Sequence, residues 1–331
     1  MSMVYGPVMS WRYGRSLGID PVPPPKRCTF NCVYCQLGPT RNPVLSADAA
    51  QETLPDEKQL FNQLDEYLRQ ISIESLDVVT FSGSGEPTLN LHLGLMVRQV
   101  RKCLPELPIV LLSNGSLLDH PRVMKNLSEF DIVTVKFDAG DDKTHRAINR
   151  PLAPFRHDQL VKAIHGLRTK TNVTIALEVM LLKLSSGISN ISGKARETLV
   201  RELVELAPVV DIFQLYTPWR PPAEEQVQPI SQSELKDFAL ELSSSIDKGR
   251  IWVYGIHDAR THSASWKSHQ SIRNDILTML QRRPCRLKDL AQSLDTSISS
   301  LLPLISQLRR VNAITVRQHL NEVYYSAQNE V

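Results

Sequence analysis

No stretch of the sequence approaches the ~18–20 uninterrupted apolar residues that a membrane-crossing helix requires, so no membrane role is expected. The segment Met1 to Tyr13 lacks a basic region followed by an apolar run, and without that secretory signature a cytoplasmic location is the expectation. Neither sign of charge dominates: 38 Lys and Arg stand against 35 Asp and Glu, a net charge of +3. There is no internal repeat, no low-complexity tract and no row of aromatics that could stack bases. With 42% hydrophobic residues in 331, the chain can bury a full core without staples. Charge is unevenly spread. Residues 266–331 carry nine Lys or Arg and five Asp or Glu, a balance of +4, so the rest sums to −1. A basic tail on a near-neutral body suits nucleic acid, and equally a solvated surface.

Cysteine is scarce and unevenly placed. Three of the five, Cys28, Cys32 and Cys35, fall within eight residues, while Cys103 and Cys285 stand alone in helix-like contexts that suggest plain packing. An odd number with this crowding is a poor disulfide framework, and in a reducing compartment the cluster is better read as metal ligands. Three thiolates on one loop can hold three irons of an iron–sulfur cubane and leave the fourth open. Pro23-Pro24-Pro25 stiffens the approach, and Lys26 and Arg27 favour ionised thiols. Structural zinc wants four protein ligands, and no second Cys or His pair supplies the matching half.

From about Asp77 short apolar runs alternate with amphipathic ones. Strands are expected at Asp77–Ser82, Ile109–Ser113, Ile132–Phe137, Val173–Met180, Asp211–Tyr216 and Ile251–Tyr254. Between them helices are expected at Asp56–Gln70, Leu91–Cys103, Pro121–Leu127, His157–Arg168, Lys194–Leu206 and Gln232–Ile246. Six strand-then-helix units imply parallel pairing with right-handed crossovers, hence an α/β fold with a partial (β/α)6 TIM-like barrel over residues 1–256, including an N-terminal extension. Residues 257–269 read as a linker. Residues 270–331 read as three helices (Ser271–Gln281, Leu287–Leu294, and one capped by Thr296 or Ser297 running to about Arg309), then a hairpin of Ala313–Val316 and Glu322–Tyr325: the layout of a small winged helix. Ser299 and Ser300 near the third helix start, with Arg309, Arg310, Arg317 and His319, allow a nucleic-acid partner; protein binding or docking on the body fits as well.

Polar residues follow the expected strands. Ser82, Gly83, Ser84, Gly85 and Glu86 come after the first of them, Ser113 and Asn114 after the next, then Lys136 and Asp138; Glu178 lies in the fifth from the amino end and Tyr216 ends the sixth, counting one strand ahead of the cysteines. Such groups gather at the mouth of a parallel barrel.

CTFNCVYC (residues 28–35), with Tyr34 before its third cysteine, resembles the C-x3-C-x2-C motif of radical S-adenosylmethionine enzymes. In that family the three cysteines sit on the loop after the first barrel strand. The resemblance implies a [4Fe–4S] cluster on Cys28, Cys32 and Cys35, S-adenosylmethionine chelated by its open iron, a reductant such as flavodoxin or ferredoxin, and cleavage to a 5′-deoxyadenosyl radical. Ser82–Glu86 looks like the family's glycine–glycine–glutamate motif with Ser84 in place of a glycine, Glu86 being suited to a cationic amine, and Ser113-Asn114-Gly115 is similar to a segment that touches the ribose or carboxylate. Residues 5–21, FSGSGEPTL (81–89) and Ile148-Asn149-Arg150-Pro151 look most like an iron–sulfur oxidoreductase subgroup related to the wyosine-synthesis enzymes of tRNA. Those relatives carry a second cluster on upstream cysteines, and no cysteine precedes Cys28, so wyosine synthesis is not expected. The expected activity is modification of a protein, peptide or small molecule; RNA modification and an iron–sulfur redox-sensing regulator are the alternatives.

Overall fold

In the computed structural model, which describes residues 2–257 and 272–328, the Val- and Ile-rich runs assemble into one eight-stranded sheet. Its strands, in spatial order, are β1 (Val4–Ser10), β2 (Gly14–Ile19), β3 (Val78–Phe81), β4 (Ile109–Ser113), β5 (Ile132–Lys136), β6 (Thr174–Met180), β7 (Ile212–Tyr216) and β8 (Ile251–Val253). β1 pairs antiparallel with β2, and every pair from β2 to β8 is parallel. Helices α1 (Glu57–Leu68), α2 (Leu93–Cys103), α3 (Pro121–Leu127), α4 (Asp142–Ile148), α5 (His157–Lys170), α6 (Gly193–Leu206) and α7 (Gln232–Leu242) fill the crossovers. Local chemistry sets their ends. Asp56 with Gln59, and Ser231 with Glu234, form capping boxes at α1 and α7. In α6 the i, i+4, i+7 set Leu199, Leu203 and Leu206 is fully buried.

The six expected strands are present, and a seventh parallel strand, β2, precedes the cysteines, with β1 beside it; as no barrel helix follows β8 among the described residues, β2 to β7 with their helices make six strand-then-helix units. GRSLGI (14–19) carries no hydropathic alternation, yet every residue of it is buried. Gly18 is required there: a Cβ would lie 2.2 Å from the Tyr5 ring.

Flat, β2 and β7 would lie about 24 Å apart, five strand spacings. Tyr13, in the β1–β2 turn, nevertheless accepts a hydrogen bond from Gln214 of β7 at 2.7 Å and shares one with Thr134 of β5 at 3.0 Å. Arg12 of the same turn pairs with Glu178 of β6. The sheet is therefore curled, with the turn inside its concave side, and open between β1 and β8: a partial barrel.

After it come α8 (Ile272–Leu280), α9 (Leu287–Ser293), α10 (Ile298–Arg310) and an antiparallel hairpin of β9 (Ile314–His319) and β10 (Glu322–Ala327). Ser297 caps α10, its Oγ accepting from Ser300 N at 3.1 Å. The core of this segment takes in part of the body: Ile276, Leu280, Leu290, Leu301 and Ile305 pack in one cluster with Tyr5 and Val8 of β1, so edge strand β1 is covered rather than left to solvent. One expectation changes: Cys285 is not helical, and exchanges backbone hydrogen bonds with Tyr325 of β10. Arg317, itself exposed, and His319 meet the body, the docking alternative for the tail: they donate to the carbonyls of Pro222 (2.7 Å) and Pro218 (2.9 Å). Of the expected linker only His257 is described; its remainder, and Ser271 of the first tail helix, lie outside the described residues.

Candidate active site

The loop after β2 carries the three cysteines, and the backbone of residues 148–150 fixes it. Asn31 N donates to Arg150 O at 3.0 Å and Val33 N to Ile148 O at 3.0 Å, while Cys35 N closes a turn onto Cys32 O at 3.1 Å. The Ile148-Asn149-Arg150 motif thus shapes the cysteine loop. Each thiol has a nitrogen donor: Lys26 Nζ to Cys35 Sγ at 3.1 Å, Asn114 Nδ2 to Cys28 Sγ at 3.5 Å, and Asn149 Nδ2 to Cys32 Sγ at 3.8 Å. Burial, reinforced by neighbouring negative groups, raises Cys28 to about 11 and Cys32 to about 12. Left alone these are protonated thiols, so a ligand that needs them ionised must supply the compensating charge. Among the described residues no three Cys, His, Asp or Glu side chains converge on one point as ligands of a single ion.

The loop after β3 is tied to the cysteine loop and to Asp20, the residue that follows β2. At Gly85 a Cβ would lie 1.9 Å from Arg27 O, so the two loops can approach only with glycine there. Ser84, where the family motif has glycine, has a use for its side chain: its N and Oγ donate to Asp20 Oδ2 at 3.2 and 2.8 Å. The same oxygen accepts from Arg282 Nε at 3.1 Å. Both partners of that ion pair are almost wholly buried, at 3% and 1% exposure. Glu86 is likewise enclosed. It accepts from Thr88 N (3.1 Å), Thr88 Oγ1 (2.6 Å), Ser113 Oγ (2.7 Å) and Asn114 N (2.7 Å), and so joins the β3 and β4 loops instead of offering a free carboxylate.

At the ends of β5 to β7 lies a second polar group. Asp138, 1% exposed, accepts from Tyr34 Oη, from Asn149 Nδ2 at 2.7 Å and from Met180 N at 2.8 Å. Lys136 Nζ sits 3.5 Å from Asp138 and 3.7 Å from Glu178, bonds Tyr216 Oη, and lies 5.0 Å from the Tyr34 ring centre. Burial lowers its pKa to about 8 despite the attraction of Asp138.

These elements surround a cavity of about 630 Å³. Cys28, Cys32, Cys35, Tyr34, Ser82, Gly83, Gly85, Lys136, Glu178 and Tyr216 line it. Ser84, Glu86, Ser113, Asn114 and Asp138 stand behind that lining and hold it. Sequence reasoning passed over several wall residues: Trp11 and Arg12 of the β1–β2 turn, Trp219 and Arg220 after β7, and Arg282, Arg283 and Arg286 of the tail. Asn149, quoted only as part of a motif, bonds Asp138, Tyr34 (2.9 Å) and Cys32. The tail is clamped on the rim by Arg317, His319 and Tyr324, whose Oη donates to Trp219 O at 2.8 Å.

A cysteine triplet, a glycine loop and strand-end polar groups thus share one mouth of a parallel partial barrel, and the matching family model, the Radical SAM superfamily, covers residues 22–182. Over that segment, 161 of its 331 residues, the chain is similar to the radical SAM superfamily. It is 27% identical over 325 residues to a UPF0026 protein of Methanocaldococcus jannaschii, a match covering 98% of this chain and 96% of that one. A UPF0026 protein of Synechocystis sp. is 38% identical over 183 residues, which span 54% of this chain and 64% of that relative, under two-thirds of its length. A radical SAM methyltransferase of Sphaerobacter thermophilus superposes with a TM-score of 0.51 at 17% identity, over 72% of this chain and 65% of that one, a likeness of fold alone. The superfamily so matched is one that implies S-adenosylmethionine and an iron–sulfur cluster as cofactors.

Proposed function

We propose that this protein is a radical SAM enzyme that binds a [4Fe–4S] cluster on Cys28, Cys32 and Cys35 and modifies a protein, peptide or small molecule in the cavity beside it. The observation that carries the reading is the facing of all three thiols into one cavity, each with its own nitrogen donor. In a cluster each thiolate binds its own iron, so the three need not converge as zinc ligands do. The chemistry supplied by the bound cluster and S-adenosylmethionine is one-electron cleavage of the sulfonium C–S bond to methionine and a 5′-deoxyadenosyl radical, the electron coming from a reductant such as flavodoxin or ferredoxin.

The chain's own residues bind, orient and shield. Lys26, Asn114 and Asn149 direct hydrogen atoms at the sulfurs and hold each rotamer, as outer partners of metal ligands do. Ser82, Gly83 and Gly85 offer backbone surface without side-chain bulk. Lys136, held among Asp138, Glu178 and two tyrosine rings, keeps a cationic donor at the cavity wall. The residues after 271 act as a winged-helix-like unit docked over the mouth, where they exclude water from a reactive intermediate. That docking occupies Arg317 and His319, two of the four basic groups suited to nucleic acid, and so favours a protein, peptide or small-molecule substrate over RNA.

The test is anaerobic reconstitution, reduction with S-adenosylmethionine present, and chromatography for 5′-deoxyadenosine. Product that vanishes in C28A, C32A and C35A is expected. A fully loaded, reducible cluster that yields no product with or without cell extract would refute the enzymatic reading.

A further inference from the structure

Two guanidinium groups of the cavity have no role in that reading. Arg220 follows β7 and Arg283 lies between α8 and α9; both line the cavity, and each buries an Nε that has no hydrogen-bond partner among the described residues. Their neighbours are matched. Arg286 pairs with Asp289 at 2.7 Å and with Glu322 at 3.2 Å, Arg282 with Asp20, and Arg12 with Glu178. Among the described residues Arg220 and Arg283 hydrogen-bond neutral groups alone, Gln36 Oε1 at 3.5 Å and Met9 O at 3.2 Å; the carboxylate that attracts Arg220, Asp289, is already held by Arg286. They also feel each other. After burial itself, Arg283 is the first charge that lowers the pKa of Arg220, to about 9.

Two like charges held together at a half-buried wall are unfavourable unless something negative joins them. Flexibility does not relieve them. The Arg220 guanidinium lies 3.8 Å over the Trp219 ring, Trp219 stacks on Tyr254 with centroids 5.1 Å apart, and Tyr324 holds the Trp219 carbonyl. The lining as a whole shares the bias, with seven basic side chains and two acidic ones. A guanidinium fork fits the paired oxygens of carboxylate and phosphate.

We propose that Arg220 and Arg283 form an anion site that receives a carboxylate or phosphate group of the substrate, one half supplied by the barrel and the other by the docked tail. This rests on the cavity being the active site. It makes the tail a substrate-binding wall.

The site is tested first without cofactor, by calorimetric titration of the full chain with inorganic phosphate and with malonate at constant ionic strength. Saturable binding of either probe is expected, and the preferred one identifies phosphate or carboxylate. Arg220→Met and Arg283→Met should each weaken it at least about tenfold, the loss of one charge-assisted contact, while Arg283→Lys should retain part. The probe-free methionine variants should melt no lower than wild type, because repulsion is removed with the contact. Binding that does not saturate, or that both methionine variants leave unchanged, overturns the site. The cluster-loaded protein supplies the second arm: S-adenosylmethionine affinity should be the same in Arg283→Met as in wild type. A tenfold loss would give the anion site to the cofactor and overturn its assignment to substrate. Anion binding intact in a protein that never binds S-adenosylmethionine would uphold the site and refute the proposed function.

Discussion

Replacing Arg282 by Met should destabilise the protein by about 3–5 kcal/mol at neutral pH, the cost of breaking a buried ion pair from one side. Methionine keeps much of the side-chain length, so packing changes little and the lost charge dominates. Asp20 then retains Ser84 N, Ser84 Oγ and Val22 N (3.1 Å) as donors but no cation, at 1% exposure. Burial already holds the Asp20 carboxyl above the ordinary aspartate value, and Arg282 is the largest influence lowering it. Removing Arg282 raises it further. An acid whose folded pKa is raised binds its proton more tightly folded than unfolded, so stability falls as pH rises above the unfolded value. The deficit of the variant relative to wild type should therefore be small near pH 4, about the unfolded aspartate value, and widen toward pH 7. Urea unfolding of both proteins at the two pH values measures it. The double variant Asp20→Asn, Arg282→Met should recover most of the loss, because no charge is then left buried. A deficit under about 1 kcal/mol at pH 7, or one equal at both pH values, would show that neutralising Asp20 is not what Arg282 does.

C28A, C32A and C35A should each lose iron on anaerobic reconstitution, measured as iron per chain; wild-type iron content in any of them would remove that cysteine from the ligand set. Glu86→Gln should lower stability by about 2–4 kcal/mol in urea unfolding, since an amide oxygen cannot replace a carboxylate that accepts four hydrogen bonds; an unchanged midpoint would mean that Glu86 does not join the β3 and β4 loops. Asn149→Ala should reduce cluster retention and cost about 1–3 kcal/mol, because Asp138, Tyr34 and Cys32 lose a shared donor; full iron content at wild-type stability would sink that role. A chain ending at residue 257 should aggregate or melt without a cooperative transition, as Tyr5 and Val8 are uncovered and Asp20 is left unpaired; a soluble, sharply melting truncation would show that the tail is dispensable to the body.

What the sequence revealed and what it concealed divide along the range of the interactions concerned. β3 to β8 and most of the helices are legible because β-branched runs and a 3.6-residue period are local signals, and the cysteine triplet is legible because its spacing is itself the motif. β2 is not, because the strand must carry Gly18 under the Tyr5 ring and buries Ser16 against Thr80 (2.7 Å), partners 13 and 64 residues away. Asp20, Ser84 and Arg282 are harder still. Their connection spans 262 residues, and an arginine just past the end of an amphipathic helix has the sequence signature of a solvated turn. The reading of tail charge stays open for the same reason. A balance of +4 over residues 266–331 suits nucleic acid, a solvated surface or docking on the body alike, and it is long-range contacts that turn Arg282, Arg283, Arg286, Arg317 and His319 toward the body or its cavity. A carboxylate in the strand-end position after β2, immediately before a proline, was the available clue: Asp20 has no basic residue within four positions of it and, buried there, must be answered by a cation from elsewhere in the chain. The cations of the tail fall into two groups on that criterion. Arg282 answers a carboxylate of the body, whereas Arg283, next to it, answers none among the described residues, and it is this contrast within one dipeptide that separates a residue joining the tail to the barrel from one left facing the cavity.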